Sequence, residues 1–223
     1  KAYRPVLYIP SKEEVKELLQ KMDIRTSHNS EQFRLDRECK ILFLLYFCCG
    51  LRLSEGRLLK WEHIDLDKGI LTVLGSKGNK DRLVYLPQDS LPVLKNYKER
   101  QEMLFPGIDW AFPGKDPHKP VSCSGVESSF NRHWAMLPVA RTVDKHPTPH
   151  CLRHAFVVER FNEWMHQGID TNTMLPYLSR YLGHKSPDET YYYYHLAGKA
   201  FDTIREKDSV SGKVIPEVIP YEE

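Results

Sequence analysis

Apolar residues recur at helical spacing along most of the chain, which predicts a mainly helical protein. Ser11 and Glu14 have the spacing of a capping box, so a first helix is predicted to begin after Ser11. A long helix is predicted over 33–48, because its second half is an apolar run, and Gly50 is a suitable stop. Ser54 is predicted to cap a short helix.

A β-hairpin is predicted in the middle of the chain. The β-rich runs 70–74 and 82–86 flank the polar turn GSKGNKD. The segment 105–125 is rich in Pro, Gly and Ser and is predicted to be the longest loop. Further helices are predicted at 89–103, 126–136, 149–167, 171–182, 188–196 and 198–207. The fold class is therefore predicted to be α+β and mainly α-helical, with a small antiparallel β-sheet or hairpin.

Composition restricts the class of protein without identifying it. The 223 residues suit one domain, or one domain plus a fragment, and they are 41% hydrophobic and 28% charged, as in a soluble globular protein. The net charge of +2 is too small to imply a polyanionic partner. However, residues 1–100 carry 19 Lys and Arg against 14 Asp and Glu, so a local basic face is compatible with the charge distribution.

Nothing in the sequence indicates a secreted or membrane protein. The five cysteines include no CxxC pair, which is typical of a reduced, cytoplasmic protein. The longest apolar run is too short to cross a bilayer, and no signal peptide is recognisable. We expect a cytoplasmic location and no membrane partner.

Six scattered polar residues have side chains suited to chemistry on a phosphodiester. Arginine and lysine neutralise phosphate, histidine moves protons or donates hydrogen bonds, and tyrosine can attack phosphorus. The six residues are Arg52, Lys77, His150, Arg153, His184 and Tyr193.

The first two of these residues have contrasting local contexts. Arg52 follows an apolar helix and a glycine, so we expect it to be partly buried, with Glu55 holding its guanidinium for a phosphate; the alternative is an ordinary surface arginine. Lys77 lies in the hairpin turn, where local sequence favours a merely exposed polar residue. A P-loop is excluded, because GxxxxGK[ST] is absent.

His150 and Arg153 are predicted to share one face at the start of a helix. A helix N-terminus favours anions, so the pair is a reasonable phosphate site. The competing interpretation is a metal site, because His146, His150 and His154 are spaced by four. Prolines interrupt that spacing, and neither HExxH nor an acidic ligand accompanies it.

His184 precedes a run of four tyrosines at 191–194. Most of these tyrosines are expected to pack in the core, and a helix would turn only one of them toward a site. His184 alone could equally be a loop histidine bonded to backbone. Spacing by itself leaves the choice of tyrosine open.

Taken together, these segments resemble the catalytic domain of tyrosine recombinases, the phage-integrase and Xer-like family. The family's GLRxSE box is similar to GLRLSE at 50–55, and its lysine hairpin is similar to SKGNKDRLVYLP at 76–87. Its HxLRHxF box is similar to HCLRHAF at 150–156, and its final box is similar to LGHKSPDETYYYYHL at 182–196. Ser76 and Gly56 depart from the usual pattern without removing a catalytic group. The resemblance runs from about residue 11 to 207.

The resemblance implies a tyrosine-recombinase catalytic fold with the small sheet on one edge, and a role for each residue. Tyr193 would be the nucleophile that forms a 3′-phosphotyrosine. Arg52 and Arg153 would bind the non-bridging oxygens, and Lys77 would protonate the 5′ leaving oxygen. His150 would be the base toward Tyr193 or a phosphate donor. His184 would bind the phosphate or place the tyrosine, and Glu55 would orient an arginine. Lys80 and Arg82 would contact DNA.

The resemblance also implies how the chain is organised. Residues 1–10 are expected to be an interdomain linker remnant, 11–207 the catalytic domain, and 208–223 an extended tail. The N-terminal core-binding domain that the family carries is not found in this chain, which begins with Lys1 and is interpreted as an excised fragment.

The implied partners are double-stranded DNA with paired inverted-repeat sites and three further copies of the chain, giving a homotetramer on DNA and a monomer when free. No metal, cofactor or ATP is expected. We expect the protein to come from a bacterium, a phage or another mobile element. The rival hypotheses are a type IB topoisomerase-like enzyme, a catalytically silent DNA-binding module and a metal-dependent hydrolase built on the histidines.

Overall fold

The computed structural model describes residues 8–24, 28–76 and 80–193, which form eight α-helices and one three-stranded antiparallel sheet. Several predicted features lie outside these ranges: Lys77, the helix 198–207, the tail 208–223 and most of the linker. In chain order the elements are α1 Lys12–Lys21, α2 Ser30–Cys49, α3 Leu53–Arg57, β1 Ile64–Asp65, β2 Ile70–Ser76, β3 Lys80–Tyr85, α4 Ser90–Leu104, α5 Cys123–Trp134, α6 His150–His166, α7 Thr171–Leu182 and α8 Pro187–Tyr191.

The first two helices begin at side-chain caps. Ser11 and Glu14 form the predicted capping box, with hydrogen bonds of 2.8 and 3.2 Å between side chains and backbone N–H groups. Helix α2 begins three residues earlier than predicted, because Asn29 accepts hydrogen bonds from the backbone N–H groups of Glu31 and Gln32. The polar residues that precede the predicted helix therefore supply the cap of the longest helix.

Gly50 ends α2 and admits close packing by later helices. Its φ of 63° is left-handed, as the predicted stop requires. A Cβ atom here would lie 2.6 Å from the Phe156 ring and 3.0 Å from Leu182. The position therefore needs glycine both for its backbone conformation and for the contact of α2 with α6 and α7.

Helix α3 is capped differently from the prediction. Arg52, not Ser54, occupies the cap position, and the Glu55 carboxylate accepts the Arg52 backbone N–H at 2.8 Å. A carboxylate three residues into the helix thus replaces the predicted serine hydroxyl. Because that same carboxylate lies among arginine side chains, the helix start is part of the candidate site.

The hairpin β2–β3 gains one short strand, β1, which the sequence did not reveal because it is only two residues long. In the hairpin register Leu71 lies opposite Val84, and Val73 lies opposite Arg82. The three apolar side chains of these pairs are buried. Arg82 therefore lies on the inner face of the hairpin, toward α3 and α7.

Two apolar clusters flank the site. The larger surrounds α2 and receives residues from α1, the sheet and α5. The smaller lies between α6 and α7 and includes Phe156, Phe161, Leu178 and Tyr193. No helix within the described ranges is long and apolar enough to cross a membrane.

We expect Gly50→Ala to destabilise the protein by about 2–5 kcal/mol. A left-handed non-glycine residue costs about 1–2 kcal/mol, and overpacking against Phe156 adds about 1–3 kcal/mol. Gly168→Ala is a matched control, because Gly168 also has a positive φ, 70°, but has nothing within 4 Å of the new methyl group. Denaturant unfolding should show a clearly larger loss at Gly50, and equal losses would contradict the packing argument.

Candidate active site

The Glu55 carboxylate is the centre of a cluster of arginines. One oxygen accepts hydrogen bonds of 2.8 Å from both Arg52 and Arg82, and the other accepts one of 2.7 Å from Arg82. The Arg153 guanidinium lies 3.8 Å from the same carboxylate. Burial alone would raise the pKa of Glu55, but hydrogen bonds from Arg82 and Arg52 outweigh it and lower the pKa to about 2. The carboxylate is therefore ionised at neutral pH.

The end of α7 provides three consecutive backbone carbonyls to the same arginines. Tyr181 O accepts from Arg82 at 2.8 Å, Leu182 O accepts from Arg153 at 2.8 Å, and Gly183 O accepts from Arg52 at 2.6 Å. The last carbonyls of a helix lack helical partners and carry partial negative charge. Residues far apart in sequence are thus held together at one helix C-terminus.

Arg153 is the most deeply placed of the three arginines, with a side chain only 2% exposed. Its second amino group donates to Gly50 O at 2.6 Å, at the end of α2. Burial, followed by the nearby Arg52 charge, lowers the pKa of Arg153 to about 10, so the group remains cationic at neutral pH. Arg153 consequently bridges the ends of α2 and α7 from the first turn of α6.

His184 links Arg153 to the segment that carries Tyr193. Its Nε2 atom lies 3.0 Å from an Arg153 amino group, and its Nδ1 atom lies 2.7 Å from the Thr190 hydroxyl. Because arginine only donates, Nε2 is the acceptor, and the ring proton of the neutral histidine is on Nδ1. Burial and the neighbouring Arg153 lower the pKa of His184 to about 3, so the ring stays neutral.

Tyr193 is 7% exposed, and its hydroxyl lies 2.5 Å from Nδ1 of His154. Burial raises the pKa of Tyr193 to about 12, despite the opposing effect of Arg153. Burial, His150 and Arg153 together lower the pKa of His154 to about 3. His154 was expected from the sequence only as part of a possible metal site, although its place one helical turn after His150 puts it on the same face of α6.

His150 occupies the first position of α6 and is exposed. Its ring packs edge-on against that of His154, with 4.6 Å between centroids. Desolvation by the surrounding protein, Arg153 and Arg52 lower its pKa from the ordinary value. The three rings of His150, His154 and Tyr193 therefore lie in contact in that order.

The remaining predicted residues belong to the hairpin. Lys77 lies outside the described residues, and the Lys80 side chain is likewise not described. Arg82 directs its guanidinium to Glu55 and to the end of α7, with 10% of the side chain exposed. DNA contacts by Lys80 and Arg82 stay predictions.

The geometry is suited to binding a phosphodiester. Three guanidinium groups meet at one carboxylate, which leaves a surplus of positive charge beside the histidines and the tyrosine. In a site from which water is largely excluded, such fixed charges stabilise anions strongly. Over the described ranges, His, Cys, Asp and Glu side chains form no group of three or more suited to a metal ion.

We expect Glu55→Gln to destabilise the fold by about 3–5 kcal/mol, because it leaves buried guanidinium groups without their counter-charge. The loss should shrink in acid. The folded-state pKa of Glu55 is below its ordinary 4.5, so its contribution is complete above pH 4.5 and disappears as the pH falls toward 2. Denaturant unfolding as a function of pH measures both effects.

Glu62→Gln is the control for this substitution, because the Glu62 side chain is 67% exposed and its ion pair with Lys60 is on the surface. It should change stability by less than about 0.5 kcal/mol. A Glu55→Gln protein as stable as the Glu62→Gln protein would contradict the central role of the carboxylate.

Comparison with known proteins places this chain in a family. A sequence profile described as the phage integrase family matches residues 11–199. A putative integrase/recombinase of Sinorhizobium fredii, y4rE, is 34% identical over 65% of this chain and 46% of its own length. The tyrosine recombinase XerC of Alcanivorax borkumensis is 32% identical over 84% of this chain and 56% of its own. The chain thus spans about half the length of these curated relatives.

Solved structures share the fold. XerH bound to a palindromic difH substrate superposes with a TM-score of 0.68 at 22% identity, over 89% of this chain and 52% of that chain. The catalytic domain of bacteriophage HP1 integrase gives a TM-score of 0.53 at 18% identity, over 94% of this chain and 100% of that chain. These matches confirm the predicted fold class, a mainly helical tyrosine-recombinase catalytic fold with a small antiparallel sheet. The chain belongs to the phage integrase family of tyrosine recombinases.

Proposed function

We propose that this chain is the catalytic part of a site-specific recombinase that cuts and rejoins DNA through a 3′-phosphotyrosine at Tyr193. The observation that carries the proposal is the convergence of Arg52, Arg82 and Arg153 on Glu55, next to a segment that ends in a buried tyrosine. Arginine binds phosphate oxygens bidentately and keeps its charge at all physiological pH values.

In the proposed reaction, the Tyr193 oxygen attacks phosphorus and the bond from phosphorus to the 5′ oxygen breaks. The tyrosine proton passes to a base, for which His150 is the candidate, and the 5′ oxygen takes a proton from Lys77. Arg52 and Arg153 bind the two non-bridging oxygens and stabilise the charge that develops on them. His184 keeps Arg153 and the Tyr193 segment in register through Thr190.

The covalent intermediate preserves the energy of the phosphodiester. A 5′-hydroxyl can therefore attack the phosphotyrosine and release Tyr193 without ATP. Attack by the original end restores the DNA, and attack by another strand recombines it. We expect no metal requirement, because the arginines supply the positive charge that a metal supplies in other phosphoryl-transfer enzymes.

The proposed partners are DNA and further copies of the chain. XerH binds a palindromic difH substrate, and the Tn1549 transposon integrase binds a circular intermediate DNA. By analogy we propose that this protein acts on paired inverted-repeat sites as a homotetramer, in DNA integration, excision or resolution. We also propose 11–207 as the catalytic domain.

Covalent selection tests the proposal and identifies the DNA site in one experiment. The protein is mixed in EDTA with a library of nicked duplexes of randomised sequence. Cleavage next to a nick releases a short strand end, so the strand cannot be rejoined and the covalent adduct is trapped. Attached DNA is recovered under denaturing conditions and sequenced. We expect an enriched, inverted-repeat-like sequence. The same library is also selected by non-covalent binding under native conditions. A protein that enriches a sequence by binding but attaches covalently to none of it would be a silent DNA-binding module, which would contradict the proposal.

Tyr193→Phe should reduce the adduct by at least about 1,000-fold and leave DNA affinity within about two-fold, because only the nucleophilic oxygen is lost. Tyr191→Phe is the matched control, since Tyr191 lies in the same tyrosine run but is 43% exposed. A denaturing gel with the selected duplex measures the adduct, and filter binding measures affinity. An adduct that persists in Tyr193→Phe would overturn the assignment of the nucleophile.

Arg52→Lys should reduce single-turnover cleavage by about 100- to 1,000-fold and weaken DNA binding far less, because lysine keeps the charge but not the bidentate geometry. Rate and affinity are measured on the selected duplex. Equal losses in rate and affinity would indicate that Arg52 contributes only to binding.

A further inference from the structure

Tyr193 has a hydrogen-bond partner that the proposed chemistry above does not use. The partner is His154, the residue after Arg153 and one turn after His150 on α6. His154 is 8% exposed and Tyr193 is 7% exposed, so the bond between them is shielded from water. Desolvated hydrogen bonds are stronger than exposed ones and costly to break.

The direction of this bond follows from the ionisation of its two members. Both are neutral, because burial raises the pKa of Tyr193 and lowers that of His154. A neutral phenol is a strong donor, and a neutral imidazole offers one unprotonated nitrogen as an acceptor. The hydroxyl therefore donates to Nδ1, and the ring proton of His154 is on Nε2.

The Tyr193 segment is short and is held at two points by histidines. Helix α8 has only five residues, and Tyr193 lies just beyond its end. His184 holds this segment through Thr190, and His154 holds the tyrosine oxygen itself. His184 contacts Arg153 directly, and His154 is adjacent to it in sequence. Both anchors thus fix the tyrosine relative to the same arginine.

We propose that His154 is the positioning residue for Tyr193: by accepting the hydroxyl hydrogen bond, it holds the oxygen in place relative to Arg153 for attack on phosphorus. This inference rests on the proposed function. His150, which is exposed and contacts the His154 ring, remains the candidate base, whereas the role proposed for His154 is to orient the nucleophile.

Substitutions that keep or remove the acceptor test the role of His154. In His154→Asn the amide oxygen can take the place of Nδ1, whereas His154→Leu keeps an apolar volume and removes the acceptor. We expect single-turnover cleavage to fall about 10- to 100-fold in the leucine variant and less than about five-fold in the asparagine variant, with DNA affinity unchanged in both. Equal rates in the two variants, or faster cleavage with leucine, would overturn the proposal.

Histidine NMR on the free protein tests the bond without DNA and without altering His154. With ¹⁵N-labelled histidine, we expect His154 to be protonated on Nε2 and its Nδ1 signal to shift in Tyr193→Phe but not in Tyr191→Phe. A His154 protonated on Nδ1, or a signal unchanged by Tyr193→Phe, would overturn the inference. A wild-type protein that shows this bond but forms no adduct with DNA would instead refute the proposed function.

Discussion

The rest of the site depends on the interaction of the buried Glu55 carboxylate with the arginines around it. Three guanidinium groups, from the cap of α3, from β3 and from α6, approach within 4 Å of it. Without a counter-charge they would repel one another in a poorly solvated space. One carboxylate does not neutralise three arginines. The site therefore keeps a net positive charge, and this charge makes it suited to binding a phosphodiester.

Helix C-termini also stabilise the positive charge of the arginines. The last carbonyls of α7 each accept a hydrogen bond from a different arginine, and the carbonyl that ends α2 accepts one from Arg153. Because helix C-termini carry partial negative charge, they bind guanidinium groups without adding full charges that would repel phosphate. The packing of α2 against α6, which requires glycine at position 50, is therefore also what brings the arginines together.

Local sequence rules predicted the elements that are determined locally. The Ser11–Glu14 capping box, the stop at Gly50 and the hairpin all follow from short-range spacing and are present. The strand β1 was missed because two residues carry no detectable alternation. Tertiary contacts were harder to predict: the Glu55–Arg82 bond joins residues 27 apart, and the Tyr193–His154 bond joins residues 39 apart. Selecting Tyr193 from four adjacent tyrosines needed the family resemblance, because periodicity could not separate them.

The proposed chemistry is tested most directly by identifying the residue that becomes attached to DNA. The trapped adduct would be digested with protease and nuclease, and the modified peptide sequenced by mass spectrometry. We predict a single nucleotide-linked site at Tyr193, the tyrosine whose hydroxyl is hydrogen-bonded to His154. Attachment at Tyr191, Tyr192 or Tyr194, or at a residue outside the tyrosine run, would contradict it.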